Sequence, residues 1–381
     1  MRGVCAVSID KDKTFVSFAS LKGSRLTFLE ELEISTVGFN NDITSFLKDN
    51  FEVINQKIID IETKHSCRCE KIFLELPWTE VKEKRVEDII TLKSRKKITS
   101  SDISRAKKQL EDKFLNWDDF CVHDIIINYE IEGSNYIEPP LEVWAKKIKL
   151  KALLVWIKDK MYKEIEDIFD SANRNLTGVI APQISRFSST FTDKEKAQVV
   201  ISIDYDQSNF IARSGDNFFF GKEFDFSFKK AIEELAHRFA LKISLAEEIF
   251  RRYISFKEIP YFKEITVKRD SGYINLSTQT LNLFIKNYIK SEICYILQEV
   301  REDISKDDFV LSFVGRLNSK EGFYGSLQGY VPYSLKAPLQ RSIVSSSYGC
   351  LRYGMSRFLE QDHKKNEPMF RRILNIYREY F

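Results

Sequence analysis

Several features that would assign this 381-residue sequence quickly are missing from it. No run approaches the roughly eighteen apolar residues of a membrane-spanning helix, so helical passage through a bilayer is not expected. The net charge is only +3, so no global basic field points to nucleic acid as a partner. The N-terminus, Met1-Arg2-Gly3 and a short apolar run reaching Asp10, lacks the apolar core of a secretion signal. The chain is therefore expected on the cytoplasmic side of the membrane. The cysteines at 5, 67, 69, 121, 294 and 350 are scattered through mostly apolar stretches and suit reduced thiols, not a disulfide framework. His65, Cys67 and Cys69 alternate, but no second ligand pair follows at a spacing that zinc would need. They read as a helix-to-strand loop, and no metal site is assigned.

What is present is the balance of a soluble globular protein. Hydrophobic residues at 43% and charged residues at 30% are enough to build real cores in two or three domains.

Residues 3–9, Gly-Val-Cys-Ala-Val-Ser-Ile, form an apolar run that reads as a buried strand ending at Asp10. Strands over 14–19 and 25–34 follow, with Lys22-Gly23 as the turn. Residues 42–62 carry Ile43, Phe46, Leu47, Phe51, Ile54, Ile58 and Ile61 at helical spacing. A return strand over 71–76 ends at Pro77.

Around residue 198 the order recurs. Val7-Ser8-Ile9-Asp10-Lys11-Asp12 matches Ile201-Ser202-Ile203-Asp204-Tyr205-Asp206, and each is followed within two residues by Thr14 or Ser208 and then an aromatic strand. Strands over 197–203, 208–213 and 217–225 precede a helix over 228–239. An internal repeat followed by the same order of elements implies two related halves.

The segment between the halves has another texture. Thr99-Ser100-Ser101-Asp102 opens a capped helix to about 114, and strands over 123–132 and 143–157 and a helix over 159–172 follow. This predicts a small α+β insertion at 85–169. Beyond the second half-repeat, helices over 245–254 and 278–304 flank a strand over 262–268. A strand over 308–314 and a helix over 345–360 complete the body. The first half spans 1–84, completed by about 170–195 and 345–361; the second spans 196–345 and includes a smaller lobe at 231–303.

Residues 360–368 read as a polar linker. Residues 369–381 then follow Pro368 without Gly or another Pro, as an amphipathic helix. Phe370, Ile373, Leu374, Tyr377, Tyr380 and Phe381 share one face; Arg371, Arg372, Asn375, Arg378 and Glu379 share the other. From Lys364 onward there are five basic and two acidic side chains, a surplus that suits an anionic lipid surface. One such helix binds reversibly, and stable attachment needs many copies acting together, as in a polymer.

This layout resembles FtsA, the actin-like bacterial cell-division family, through nearly the whole chain. The ending from Phe370 to Phe381 is similar to that family's membrane-targeting sequence. The stretch from Lys97 to Ile103, leading to Tyr129-Glu130-Ile131-Glu132-Gly133, resembles its inserted subdomain, where a strand ends in a Y-x-V-D-G pattern. Ala246-Glu247-Glu248-Ile249-Phe250-Arg251-Arg252-Tyr253 resembles its A-E-x-x-K-x-x-Y helix. The resemblance implies an α/β, actin-like fold of duplicated ribonuclease-H-like halves, with a small α+β inserted subdomain and a C-terminal amphipathic helix. It also implies a tether that recruits the FtsZ polymer, self-associates and gathers other division proteins.

The family's ligand is ATP with magnesium, held by glycine-containing loops: Asp-Ile-Gly in the first and Asp-Ile-Gly-Gly-Gly-Thr in the second. Here Asp12 and Asp206 stand where glycine is expected, adding a side chain and a like charge beside a polyphosphate. The later adenosine segment is reduced to Ser312-Phe313-Val314-Gly315-Arg316. Asp10, Thr14, Asp204, Ser208 and Gly315 are the positions that would contact a nucleotide if one bound. The expectation is weak or absent ATP binding and no hydrolysis, and no catalytic residue is assigned.

The family's partner surface, which takes the acidic, partly apolar C-terminal peptide of FtsZ, maps to 231–303. Arg251, Arg252, Lys286, Asn287 and Lys290 are the candidates there, with Lys286 and Lys290 one helical turn apart. The alternative is an actin-fold assembly protein of the PilM type, serving a pilus or secretion machine, which shares the insert but lacks the membrane helix. A sugar kinase or chaperone ATPase of the same superfold would need intact phosphate loops and a catalytic carboxylate.

Overall fold

The computed structural model describes residues 2–9, 13–22, 25–35, 42–136, 139–190, 197–214, 217–257, 263–269, 272–304, 309–328, 330–335 and 347–365. The chain divides into two compact units, Met1–Ser189 with Ser345–Phe381, and Thr190–Val344.

The first unit opens with an antiparallel meander of β1 (Arg2–Ile9), β2 (Lys13–Lys22) and β3 (Arg25–Ser35). Every β1 residue after Arg2 is buried, which is why this strand reads as a continuous apolar run. Helix α1 (Ile43–His65) is started by Asp42, whose carboxylate accepts the amides of Thr44 and Ser45. Its apolar stripe from Ile43 to Ile61 lies in the core against the sheet. Ser66, with φ of 49°, ends the helix, and β4 (Arg68–Glu75) returns parallel to β1.

His65, Cys67 and Cys69 therefore sit in this helix-to-strand connection. His65 Nε2 lies 3.0 Å from Glu30 Oε2, and the Cys69 amide donates to Glu62 Oε1 at 2.6 Å. Among the described residues, no group of three His, Cys, Asp or Glu side chains is placed to hold a metal ion.

After a short 3-10 turn come β5 (Lys82–Lys97), α2 (Ser100–Phe114), β6 (Asp119–Ile131), β7 (Ser134–Tyr136) and β8 (Trp144–Lys158). They build a second sheet, ordered β5-β8-β6-β7, with its own core between α2 and the strands. Thr99 and Asp102 cap α2 reciprocally, as the sequence implies. Glu132 and Gly133, both at positive φ, make the β6–β7 turn.

Helix α3 (Asp159–Ser171) then leads to β9 (Leu176–Ile180) and α4 (Pro182–Ser188). The sequence places α3 in the insertion, but its buried residues Ile165 and Phe169 belong to the first unit's core. Phe169 meets the Phe51 ring of α1 edge-on at 4.7 Å, so the insertion proper is the sheet that starts at Lys82 and ends at Lys158.

In the second unit, β10 (Ala197–Ile203), β11 (Ser208–Ser214) and β12 (Asn217–Phe224) repeat the meander. Helices α5 (Phe228–Phe239) and α6 (Ile243–Tyr253) follow, then the hairpin β13 (Glu264–Arg269) and β14 (Gly272–Ser277), and the long α7 (Thr278–Ile304). Where the sequence predicts one strand at 262–268, the structure has this hairpin. β15 (Phe309–Gly315), α8 (Phe323–Leu327) and β16 (Ser334–Leu335) finish the unit.

The two five-stranded sheets have the same order: β3-β2-β1-β4-β9 and β12-β11-β10-β15-β16. Even the register of the first turn is shared, with Ile9 opposite Thr14 and Ile203 opposite Ser208. The repeated hexapeptide thus marks a duplicated ribonuclease-H-like unit. The additions differ in place: the first unit's insertion follows its fourth strand, and the second unit's α6 and hairpin precede its fourth.

The last described helix, α9 (Ser347–Lys365), belongs to the first unit and packs on α4 and β1. A Cβ on Gly349 would stand 1.8 Å from the Ser185 carbonyl oxygen, so α9 crosses α4 at a distance only glycine allows. Buried hydroxyls and a carboxylate line this crossing, where Ser8 donates to Glu75 at 3.2 Å and Ser185 donates to the other oxygen of Glu75. The helix runs past Glu360 to Lys365, so the first part of the expected linker is helical. Without Pro or Gly before Pro368, nothing in the polar run stops it.

Candidate functional site

Asp204, Ser208 and Gly315 are brought together where β10, β11 and β15 meet. The Asp204 amide donates across the turn to the Gln207 carbonyl at 2.9 Å. Ser202 Oγ donates to Asp204 Oδ2 at 2.8 Å. The carbonyls of Asp204 and Tyr205 accept the amides of Phe228 and Lys229, each at 2.8 Å, which occupies two free donors at the start of α5. Gly315 has φ of +95°, and a Cβ there would lie 2.3 Å from the Ile203 carbonyl oxygen and 3.1 Å from Asp204 Oδ1. Its glycine is thus demanded by the close approach of β15 to the end of β10.

The described part of this turn departs from a glycine-lined phosphate cradle. Two carboxylates, Asp204 and Asp206, sit in the turn, and the Lys229 ammonium beside them lies 3.9 Å from Asp206. The Asp204 amide is consumed inside the turn. Ser208 Oγ and the Gln207 side-chain nitrogen find no partner among the described residues, and Ser208 is fully enclosed. In the first unit Thr14 is likewise fully buried, opposite Ile9. Asp10 and Asp12 lie outside the described residues.

The residues expected to face a partner fall on two adjoining segments of the second unit. Arg251 and Arg252 are in the last turn of α6, and Arg252 pairs with Glu248 at 3.1 Å. Lys320 Nζ donates to the carbonyls of Phe250 and Arg251 at 2.9 and 3.0 Å, closing the end of that helix. Burial and then the neighbouring Arg251 charge hold the Lys320 ammonium below its ordinary pKa. Asn282 of α7 donates to the Tyr253 carbonyl at 3.0 Å and binds α7 to the end of α6. On α7, Lys286 Nζ donates to the Lys257 carbonyl at 2.8 Å, Asn287 is exposed, and Lys290 stands 4.9 Å over the Tyr330 ring. The tail residues Phe370, Arg371, Arg372, Ile373, Leu374, Tyr377, Arg378, Tyr380 and Phe381 lie outside the described residues.

A further site in the first unit was not singled out from sequence. A cavity of about 250 Å³ opens where the start of β6 meets the edge strand β9 and α9. His123 is buried at its wall, accepts the Ala181 amide at Nε2 (3.0 Å), and has Arg357 Nη1 3.0 Å from Nδ1. Arg357 also donates to Asp124 Oδ1 at 2.7 Å and to the Tyr353 hydroxyl at 3.0 Å. Burial, and then the Arg357 charge, hold His123 well below the usual imidazole pKa, so the ring is neutral. Arg357 is 234 residues from His123, and neither lies in a motif, so no sequence signal joins them.

No protein-family model and no curated protein matches the sequence. Solved structures do. A chain of a PilM-PilN type IV pilus biogenesis complex superposes with a TM-score of 0.58 at 11% identity, over 96% of this chain and 99% of that one. Diol dehydratase-reactivating factor in nucleotide-free form gives 0.52 at 9% identity, over 95% and 100%. MreB5 of Spiroplasma citri bound to ADP gives 0.47 at 7% identity, over 96% and 98%. The chain has an actin-like fold.

Proposed function

We propose that this chain is a non-catalytic actin-fold assembly protein that holds a polymer-forming partner against a membrane. The observation that carries the non-catalytic part is the turn at 204–207. Its carboxylates and internally bonded backbone stand where a phosphate cradle would need glycine and free amides. The amphipathic stretch at 369–381 supports the membrane part, with arginines on one face and aromatic and aliphatic side chains on the other.

In the finer reading the chain is an FtsA-like tether. The C-terminal peptide of FtsZ docks on the face formed by Arg251, Arg252, Lys286, Asn287 and Lys290. Self-association supplies the many copies that stable attachment needs, and other division proteins gather on the assembly. It would then act at the cytoplasmic face of the cell membrane, at the division site. A second reading is favoured by the similarity to a chain from a PilM-PilN type IV pilus biogenesis complex: the body serves a pilus or secretion machine. Binding of the FtsZ C-terminal peptide to the purified full chain separates the two. Saturable binding supports the tether, and its absence together with no binding to anionic vesicles moves the assignment to the second reading.

A further inference from the structure

The cavity beside His123 has a hydrogen-bonding problem that its protein groups do not solve. A neutral imidazole has one acceptor nitrogen and one N–H. Accepting the Ala181 amide at Nε2 puts the proton on Nδ1, where it faces an Arg357 N–H at 3.0 Å. If Nδ1 accepts from Arg357 instead, Nε2–H faces the Ala181 amide. One donor therefore always points at another, inside a buried wall where an unmet donor costs about 1–3 kcal/mol.

Other donors converge on the same space. Arg357 uses three of its five N–H groups, on His123, Tyr353 and Asp124, and the guanidinium is only about one-third exposed. Thr177 Oγ1, on the cavity lining, is buried and has no partner among the described residues. The nearby charges are Arg357, Lys107 and Lys71 against Asp124, Glu111 and Glu166. Lys107 lies 2.9 Å from Asp124, Lys71 stands 3.2 Å over the Phe358 ring, and Glu166 is hydrogen-bonded to the Tyr162 phenol. Burial and then Asp124 push the Glu111 carboxyl up. Much of the remaining lining is aromatic, with the rings of Phe73, Phe120, Tyr162 and Phe358. At about 250 Å³ the space sits just below the usual range for ligand pockets, so its occupant is small.

We propose that this cavity, between the inserted sheet and edge strand β9, binds a small aromatic monocarboxylate. The carboxylate accepts from the free N–H groups of Arg357, from His123 Nδ1–H and from the Thr177 hydroxyl, while the ring lies among the aromatic side chains. The guanidinium turns toward the ligand and no longer opposes the imidazole proton. The site lies within the first unit and does not depend on the tether reading.

The test is calorimetric titration of the full chain with benzoate, using benzamide as the uncharged control of the same shape. Benzoate is expected to bind saturably with a dissociation constant of about 1 mM or tighter, and benzamide at least about tenfold more weakly. Thr177→Val is expected to weaken benzoate about threefold to tenfold. Arg357→Gln is expected to abolish binding but also breaks the pair with Asp124, so a second variant decides. A Cβ on Gly178 meets nothing within 4 Å, and Gly178→Leu fills the cavity without displacing a neighbour at that atom. Loss of benzoate binding in folded Gly178→Leu supports the site. No binding by the wild-type chain up to about 10 mM, equal binding of benzamide, or unchanged binding in Gly178→Leu overturns it.

Discussion

Gly315 lies directly against Ile203: the parallel register pairs them, and a Cβ on the glycine would stand 2.3 Å from the Ile203 carbonyl oxygen. This contact fixes the end of the fourth strand of the second unit against the turn that begins at Asp204. Gly315→Ala adds that clash to a backbone φ of +95° and is expected to destabilise the chain by about 2–4 kcal/mol. Urea unfolding followed by circular dichroism measures it; a change below about 0.5 kcal/mol contradicts the packing role.

On the proposed reading, the same turn excludes a nucleotide. Titrating the full chain with a fluorescent ATP analogue and magnesium is expected to give no saturable signal in the micromolar range, and phosphate release is expected to stay at background. Micromolar affinity would show that Ser208 and the neighbouring cations outweigh the carboxylates of Asp204 and Asp206.

The cap of α1 carries a pH dependence. Hydrogen bonds from Ser45 and Thr44, first from their hydroxyls, hold the Asp42 carboxyl down at about 2. A carboxylate with a depressed folded pKa contributes stability that is complete above its unfolded value of about 3.9 and is lost as pH falls through the folded value. Asp42→Ala is expected to cost about 1 kcal/mol at neutral pH. Urea midpoints of the two proteins should converge between pH 4 and about 2; a constant gap over that window refutes the assignment.

On the proposed partner face, Lys286 and Lys290 are one turn apart on α7 and both partly exposed. Reversing both, Lys286→Glu with Lys290→Glu, is expected to weaken FtsZ C-terminal peptide about tenfold or more, while the circular dichroism spectrum stays unchanged. Fluorescence anisotropy with a labelled peptide gives the comparison, and equal affinity removes these lysines from the binding face.

Much of the fold was legible because its signals are local. The hexapeptide around Asp10 recurs around Asp204, and the strand–strand–strand–helix order after each copy pointed to duplicated sheets. What escaped was written in long-range contacts. Strand β5 carries charges at ten of its sixteen positions and buries only Val86, Ile90 and Leu92, so its apolar alternation is drowned. Helix α3 follows the insertion without a break in the sequence, and only Phe169 meeting Phe51 shows that it belongs to the body. At the candidate site, the carboxylate of Asp206, where the resemblance implies glycine, could be read directly. That Gly315 answers to Ile203, and that His123 meets Arg357, depends on strands and helices far apart in the chain.

The tether reading is tested most directly by sedimentation with vesicles containing anionic lipid, comparing the full chain with one ending at Lys365. The full chain should pellet with the vesicles, more completely as its concentration rises, and should stay in solution with neutral vesicles or high salt. The shortened chain should remain folded and in the supernatant. Equal pelleting of both chains, or a full chain that never leaves solution, contradicts the account.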